Sequence, residues 1–459
     1  MILRVTPCSN YSRDIVAGLL RLQGGYTEGS SADSLPSQLK AVQGVTALIL
    51  LDKAVALLFK SKKWAFPSSL AAMVVVFLAL CDLRKYNLGL AEDISTGLSP
   101  AVSLIKAWLP LFFVPPLVVL PLKMHLLDGV ALQLSAVVVI GSVLSLCAAG
   151  LFAKTIDKLF PKAASDAPTV IVKTGPLPSL PPLYLPATAC ATFLTLSKLL
   201  PLAFPGIPTV VRTILQTAFG STATVTGYIA GTKLPAQVKK IAHPVLTCAA
   251  ITTCLLSLFG ILNGIAPATV LAQYFGSGSM RGSGDIISSL LGPAIISFGI
   301  QLYQYRLMLK DNIVNVMVTT AFSAGFGLTS SAFLAKAFRL APAQTALAPL
   351  TRCITTPLAL AGARLTGADP SLSAFVVVIT GILGATFGDA ILDTVRVKEP
   401  VSVGLAVGAG AHGLGAAAMA YDPVKFASAV VSMTLTGLWT VGIMSYAPIR
   451  KWLMRVSLS

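Results

Sequence analysis

Long apolar runs separated by short polar connections make up the chain from about residue 39 onward, and most are of membrane-spanning length, roughly 17–25 residues. They fall at residues 41–59, 66–83, 98–120 and 130–153. A second series follows at 183–202, 210–231, 243–265, 288–305, 313–337, 343–363, 372–392, 401–420 and 426–448. None keeps the strict alternation of apolar and polar positions that a transmembrane barrel strand requires. The pattern predicts an all-α polytopic membrane protein with about 12–13 transmembrane helices, several broken by Pro or Gly and one compatible with a re-entrant segment.

Two polar stretches punctuate this pattern. Residues 1–38 carry Ser and Gly clusters and no apolar core long enough for a secretory signal, so they read as an extension. Arg4, Arg13 and Arg21 among serines suit an organelle-targeting role, whereas Asp14, Glu28 and Asp33 depart from the acid-poor pattern of transit peptides. Residues 161–182 hold Pro161, Pro168, Pro176, Pro178, Pro181 and Pro182 and predict an extended connector. It separates a membrane block at 39–160 from a second at 183–450, with a basic tail at 451–459.

Several runs are interrupted where hydrocarbon would penalise it. An unpaired backbone group or imidazole in the bilayer costs several kcal/mol, so such residues persist where they pack on other helices or line a polar cavity. Thr380-Gly381, Gly384 and Ala411-His412-Gly413-Leu414-Gly415 lie in two consecutive runs. His412 can hold a carboxylate or pass a proton, or simply bond a carbonyl across a helix interface. Leu109-Pro110 and Pro115-Pro116 break an early run, and Gly292-Pro293 opens another, either as a half-helix N-terminus for an anion or as a packing kink. Arg352-Cys353-Ile354-Thr355-Thr356-Pro357 puts a guanidinium and two hydroxyls before a helix-breaking proline. A guanidinium matches a carboxylate, and the threonines suit a neighbouring hydroxyl; the alternative is an arginine snorkelling to the interface.

Charge changes the picture little. The chain has 34 Lys and Arg against 17 Asp and Glu, a net charge of +17, which in a soluble protein would point to nucleic acid. Here only 11% of residues are charged and 55% are hydrophobic, so the basic loops read as topology signals on a bilayer, with no nucleic acid as partner. The seven cysteines form no Cys-x-x-Cys pair and read as packed thiols. His243 before Pro244 reads as a helix-start residue at the interface. Gly282-Ser283-Gly284-Asp285 echoes an intramembrane aspartyl protease, but the Tyr421-Asp422 pair follows it instead of preceding it. A connector at 276–281 with Asp285 starting the next helix is the simpler reading. No hydrolase, P-loop or metal-ligand motif is present, so neither an enzyme nor a cofactor is expected.

Taken together, these elements resemble the LrgA/LrgB (also CidA/CidB) membrane proteins, and within them the plant-type fused form. His243-Pro244, Gly284-Asp285-Ile286, Leu290-Leu291-Gly292-Pro293-Ala294, Arg352-Cys353-Ile354-Thr355, Ser371-Leu372, Thr380-Gly381 and Ala411-His412-Gly413-Leu414-Gly415 carry the LrgB-like part. Phe66-Pro67-Ser68-Ser69, Met73 and Leu111-Phe112-Phe113-Val114-Pro115 carry the LrgA-like part. The resemblance implies a transporter of small 2-hydroxy monocarboxylates, glycolate and D-glycerate, in the plastid inner envelope and in photorespiration. Its substrate-binding residues would be Arg352, Thr355, Thr356, His412, Gly413, Gly415, Thr380 and Pro293. The alternative, from the bacterial side of the family, is a holin-like or murein-hydrolase-regulating homo-oligomeric pore in the plasma membrane, or a carrier of another small acid such as pyruvate. Two positions depart from the family pattern: Val403 stands where an Ala-Arg-Gly element has arginine, and Asp389 where relatives usually have proline or an uncharged residue.

Overall fold

In a computed structural model of the chain, residues 35–62, 64, 67–160, 180–204, 206, 208–235, 238–239, 244–275, 282–419 and 421–459 are described. The extension at 1–34, most of the connector, His243 and the 276–281 segment lie outside them. The described residues are helical and contain no strand. In chain order the helices are α1 Leu35–Ser61, α2 Ser68–Tyr86, α3 Leu88–Phe112, α4 Val114–Val118 and α5 Ala131–Leu159. There follow α6 Tyr184–Ala203, α7 Thr209–Thr232, α8 Pro244–Leu262, α9 Pro267–Tyr274, α10 Ser283–Ser288, α11 Leu291–Gln304 and α12 Arg306–Asp311. The last are α13 Ile313–Ala337, α14 Ala343–Leu347, α15 Thr356–Thr366, α16 Pro370–Thr394, α17 Pro400–Ala418, α18 Pro423–Ser445 and α19 Ala447–Leu458.

Among the described residues, 10 helical segments are long and apolar enough to cross a membrane. The runs expected at 66–83 and 210–231 form α2 and α7, helices of 19 and 24 residues that are not among those 10. The run expected at 343–363 is two short pieces around a break, because Pro357 cannot donate to a preceding turn and fixes a new helix start.

The described residues divide into two compact units. The first draws on 35–64, 68–118 and 180–300, the second on 67, 119–160 and 301–459. In the first unit, α3 carries Pro110 in its last turn and ends at Phe112: the Phe113 N–H closes a tighter turn onto the Pro110 carbonyl, and α4 restarts at Val114. Protein groups serve carbonyls on either side of the break. The Tyr228 hydroxyl donates to Ala107 at 2.8 Å and Thr253 donates to Val118 at 3.2 Å. Asp285 accepts from the Gly282 N–H at 3.1 Å and caps α10, the simpler of the two sequence readings.

In the second unit, α5 packs with α13, α16 and α17. The core beside the break is made by Leu134, Val137 and Val138 of α5 with Ala335, Ala348, Leu372 and Val376. α5 precedes the proline-rich connector in sequence yet shares this unit with α13 to α19, so the compact units do not follow the two sequence blocks. Asp389 accepts from the Tyr421 hydroxyl at 2.5 Å and from Lys425 at 3.2 Å, tying the end of α16 to the start of α18. The Asp389 charge thus serves an exposed inter-helix tie. Val403 is buried beside Gly404, where α17 lies against the Lys425 backbone.

Candidate functional site

Arg352 follows the short 3-10 turn Ala348–Thr351, and α15 restarts after Thr355. The arginine is 0% exposed and does not snorkel. Its Nε donates to Ser331 Oγ at 2.9 Å, and its Nη2 donates to Ser145 Oγ at 2.8 Å and Ser330 Oγ at 3.2 Å. Nη1 is buried with no hydrogen-bond partner among the described residues. Among the described residues no carboxylate pairs with this guanidinium. Three neutral hydroxyls orient the charge without cancelling it. An uncompensated buried cation is costly, and an anion beside Nη1 is the chemistry that relieves it.

Thr355 is the residue before the first turn of α15, an 11-residue helix, and its Oγ1 is buried without a partner among the described residues. Thr356, 2% exposed, begins that turn. Pro357 carries no N–H, which leaves the N–H groups of Thr356 and Leu358 as the donors of a positive half-helix end. Guanidinium, hydroxyl and helix start are thus adjacent in sequence and held at one break.

His412 makes the second break. Its φ of 44° and ψ of −137° interrupt α17, and it is 3% exposed. Its Nε2–H donates to the Val377 carbonyl of α16 at 2.9 Å, which leaves Nδ1 as an acceptor. Gly381 lets the ring approach, since a Cβ there would lie 2.6 Å from His412 Cε1. Ser373, Val377 and Thr380 share one face of α16, and the hydroxyls of Ser373 and Thr380 are buried without partners among the described residues. Gly413 has room around it, with Met433 Sδ 3.9 Å from a built Cβ, whereas Gly415 packs tightly on Val407 and Ala411.

The bulk of an imidazole at positive φ is strained, by about 1–3 kcal/mol for such backbone outliers. Glycine adopts that conformation freely and alanine does not. His412→Gly is therefore expected to unfold above His412→Ala in detergent, by about 1 kcal/mol. The reverse order in thermal melts would remove the strained break.

One helix serves both breaks. On α5, a Cβ at Gly141 would lie 2.8 Å from Arg352 Cζ, Ser145 holds Nη2, and Leu146 lies against Gly410, two residues before His412. Pro293 belongs to the other unit, where it is buried in the first turn of α11. There Gly292 lies against the carboxylate of Asp52, which is 7% exposed and accepts from Ser69 Oγ at 2.6 Å. That half-helix start already faces an internal anion. Sequence reading passed over Ser145, Ser330, Ser331, Gly141 and Asp52. The only signals were small polar residues, and one acid, inside apolar runs, and hydroxyls are common there because they can bond their own helix. Among the described residues no group of three or more His, Cys, Asp or Glu is placed to hold a metal, and Cys147, Cys190, Cys248, Cys254 and Cys353 are free thiols.

These features define a multi-pass helical membrane protein with a buried cationic site at interrupted helices. Residues 53–153 match the LrgA family and residues 224–448 the LrgB-like family. The chain is 32% identical over 396 residues to plastidal glycolate/glycerate translocator 1, chloroplastic, of Arabidopsis thaliana, covering 85% of this chain and 76% of the relative. It thus belongs to the LrgA/LrgB family, in the form that joins both parts in one polypeptide. It is also 29% identical over 234 residues to the uncharacterized protein YxaC of Bacillus subtilis, covering 51% of this chain and 94% of that one. The antiholin-like protein LrgB of the same species is 30% identical over 168 residues, 36% of this chain and 72% of the relative. No solved structure matches the chain. The relationship supports a membrane transporter and gives no indication of an enzyme.

Proposed function

We propose that the protein carries small 2-hydroxy monocarboxylates, exchanging glycolate and D-glycerate across the plastid inner envelope in photorespiration. The observation that carries this reading is Arg352: a fully buried guanidinium with a free Nη1 and no carboxylate partner among the described residues. The similarity to the Arabidopsis glycolate/glycerate translocator supplies the substrate class. The carboxylate engages Nη1 and the first turn of α15, the 2-hydroxyl meets Thr355 or Thr356, and His412 with Thr380 lines the approach from the second break. The unpartnered hydroxyls of Thr355, Ser373 and Thr380 support the same reading, because each costs about 1–3 kcal/mol if nothing polar reaches it. Alternating exposure of the two breaks moves the substrate across.

Counterflow into proteoliposomes tests this. Labelled glycolate should accumulate against internal D-glycerate and saturate with concentration; no uptake in that assay sinks the reading. The antiholin-like relatives favour a second reading, a homo-oligomeric pore, which would show as non-saturating leakage of dye without exchange. A fluorescent fusion seen in the plasma membrane of the native cell, with none in plastids, would contradict the envelope assignment.

A further inference from the structure

Arg352 belongs to the LrgB-like region, but part of its seat comes from the LrgA-like region. α5 ends near the limit of the LrgA match and precedes the proline-rich connector, yet it presents Gly141 and Ser145, one turn apart, to the guanidinium. Gly141 leaves the space in which the guanidinium lies, and Ser145 Oγ accepts from Nη2 at 2.8 Å. Ser330 and Ser331 of α13 take the remaining hydrogen bonds of the same edge. Nε and Nη2 are thereby occupied and Nη1 alone is left. A carboxylate at any of these three serine positions would neutralise the arginine and remove its attraction for an anion, whereas a hydroxyl fixes its direction only.

We propose that Ser145 is a positioning residue for Arg352, so that the LrgA-like region builds the anion seat directly, and that the ligand engages the arginine through its Nη1 side alone. The inference rests on the carboxylate-carrier reading for its ligand, but not for the placement of α5. Without Ser145 the Nη2 edge can swing away from α5, and the Nη1 direction is lost.

In full-length protein reconstituted in proteoliposomes, Ser145→Ala should raise KM for glycolate roughly 10-fold or more, the loss expected when a misdirected Nη1 forfeits about one hydrogen bond to the ligand. Maximal exchange in the folded variant should stay within about twofold. Ser145→Thr, which keeps the hydroxyl, should restore most of the affinity. An unchanged KM in folded Ser145→Ala overturns the proposal; a lower melting temperature with lower maximal rate and unchanged KM marks a merely structural residue and overturns it too.

A second measurement covers misfolding of that variant. Cys353 Sγ lies 3.6 Å from Ser145 Oγ. In Ser145→Cys, copper-phenanthroline with oxygen should take two protons and two electrons from the thiol pair and form an intrachain disulfide, absent when Cys353→Ser is added. Exchange at saturating substrate should fall on oxidation and return with dithiothreitol. Failure to cross-link, or a cross-linked protein that still exchanges, overturns the proposal. If wild-type protein exchanges no glycolate, the functional reading fails, while the cross-link still decides whether α5 seats Arg352.

Discussion

Replacing Arg352 by glutamine should abolish saturable carboxylate exchange while leaving the protein folded and no less stable. Glutamine retains an amide that can reach one of the three serines but brings no charge to a ligand. A bound carboxylate loses about two charge-assisted hydrogen bonds, each about 1.5–3 kcal/mol, and the combined loss corresponds to roughly 10²–10⁴-fold in affinity. The fold loses little, because Ser331 already donates to the Gly327 carbonyl at 2.7 Å and Ser330 to the same carbonyl at 3.3 Å. Removing a buried charge that has no opposite charge beside it is neutral or favourable for stability. Counterflow and a thermal melt on the same preparation distinguish the outcomes. Normal exchange in Arg352→Gln ends the assignment of this residue to substrate and leaves the family unaffected. Loss of exchange together with a melting temperature lowered by many degrees would make the arginine a structural strut.

Gly408→Val should prevent folding. Gly404 and Gly408 lie one turn apart on α17, and a Cβ at either would strike backbone on α18: the Lys425 carbonyl for Gly404, the Ala429 carbonyl for Gly408. Backbone cannot rotate aside as a flexible side chain can, so the two helices must separate along the whole seam. The seam is further tied by Ser432, whose Oγ donates to the Leu405 carbonyl at 2.7 Å. Overpacking in a tight core costs about 1–3 kcal/mol where side chains can shift, and more where they cannot. The expected result is loss of the monodisperse peak of a fluorescent fusion in detergent. Gly442→Ala on α18, where nothing lies within 4 Å of the added Cβ, should run as wild type. A Gly408→Val peak as sharp and as heat-resistant as wild type would rule out the close α17–α18 approach.

The two glycines illustrate how far the chain could be read without its structure. Gly404, Gly408, Gly413 and Gly415 occur in one apolar run and look alike in sequence. Only the packing separates Gly408, against a carbonyl, from Gly413, which has room beside it. The same holds for the proline breaks. Pro110, Pro293 and Pro357 each announced an interruption, because the missing N–H is a local property of the residue. What each interruption faces was not local: α3 restarts as α4, α11 meets Asp52, and α15 starts beside Arg352. Pro293 and Arg352 look like a matched pair of half-helix sites in sequence, yet they fall in different compact units.

The sequence by itself determined the solvent, the helical class and the family, since apolar length and backbone satisfaction in hydrocarbon leave few alternatives and the motifs survive as short contiguous strings. It also determined that Arg352, Thr355, Thr356 and His412 stand out, because polar groups in membrane helices are expensive wherever they occur. Tertiary structure alone decided that Arg352 is buried with Nη1 free, that His412 bonds the Val377 carbonyl, and that Ser145 reaches Arg352 from 207 positions away in the chain. A serine in an apolar helix carries no mark of its partner. Hydrogen bonds between distant segments depend on which helix faces meet, and that is fixed by the packing of the whole second unit.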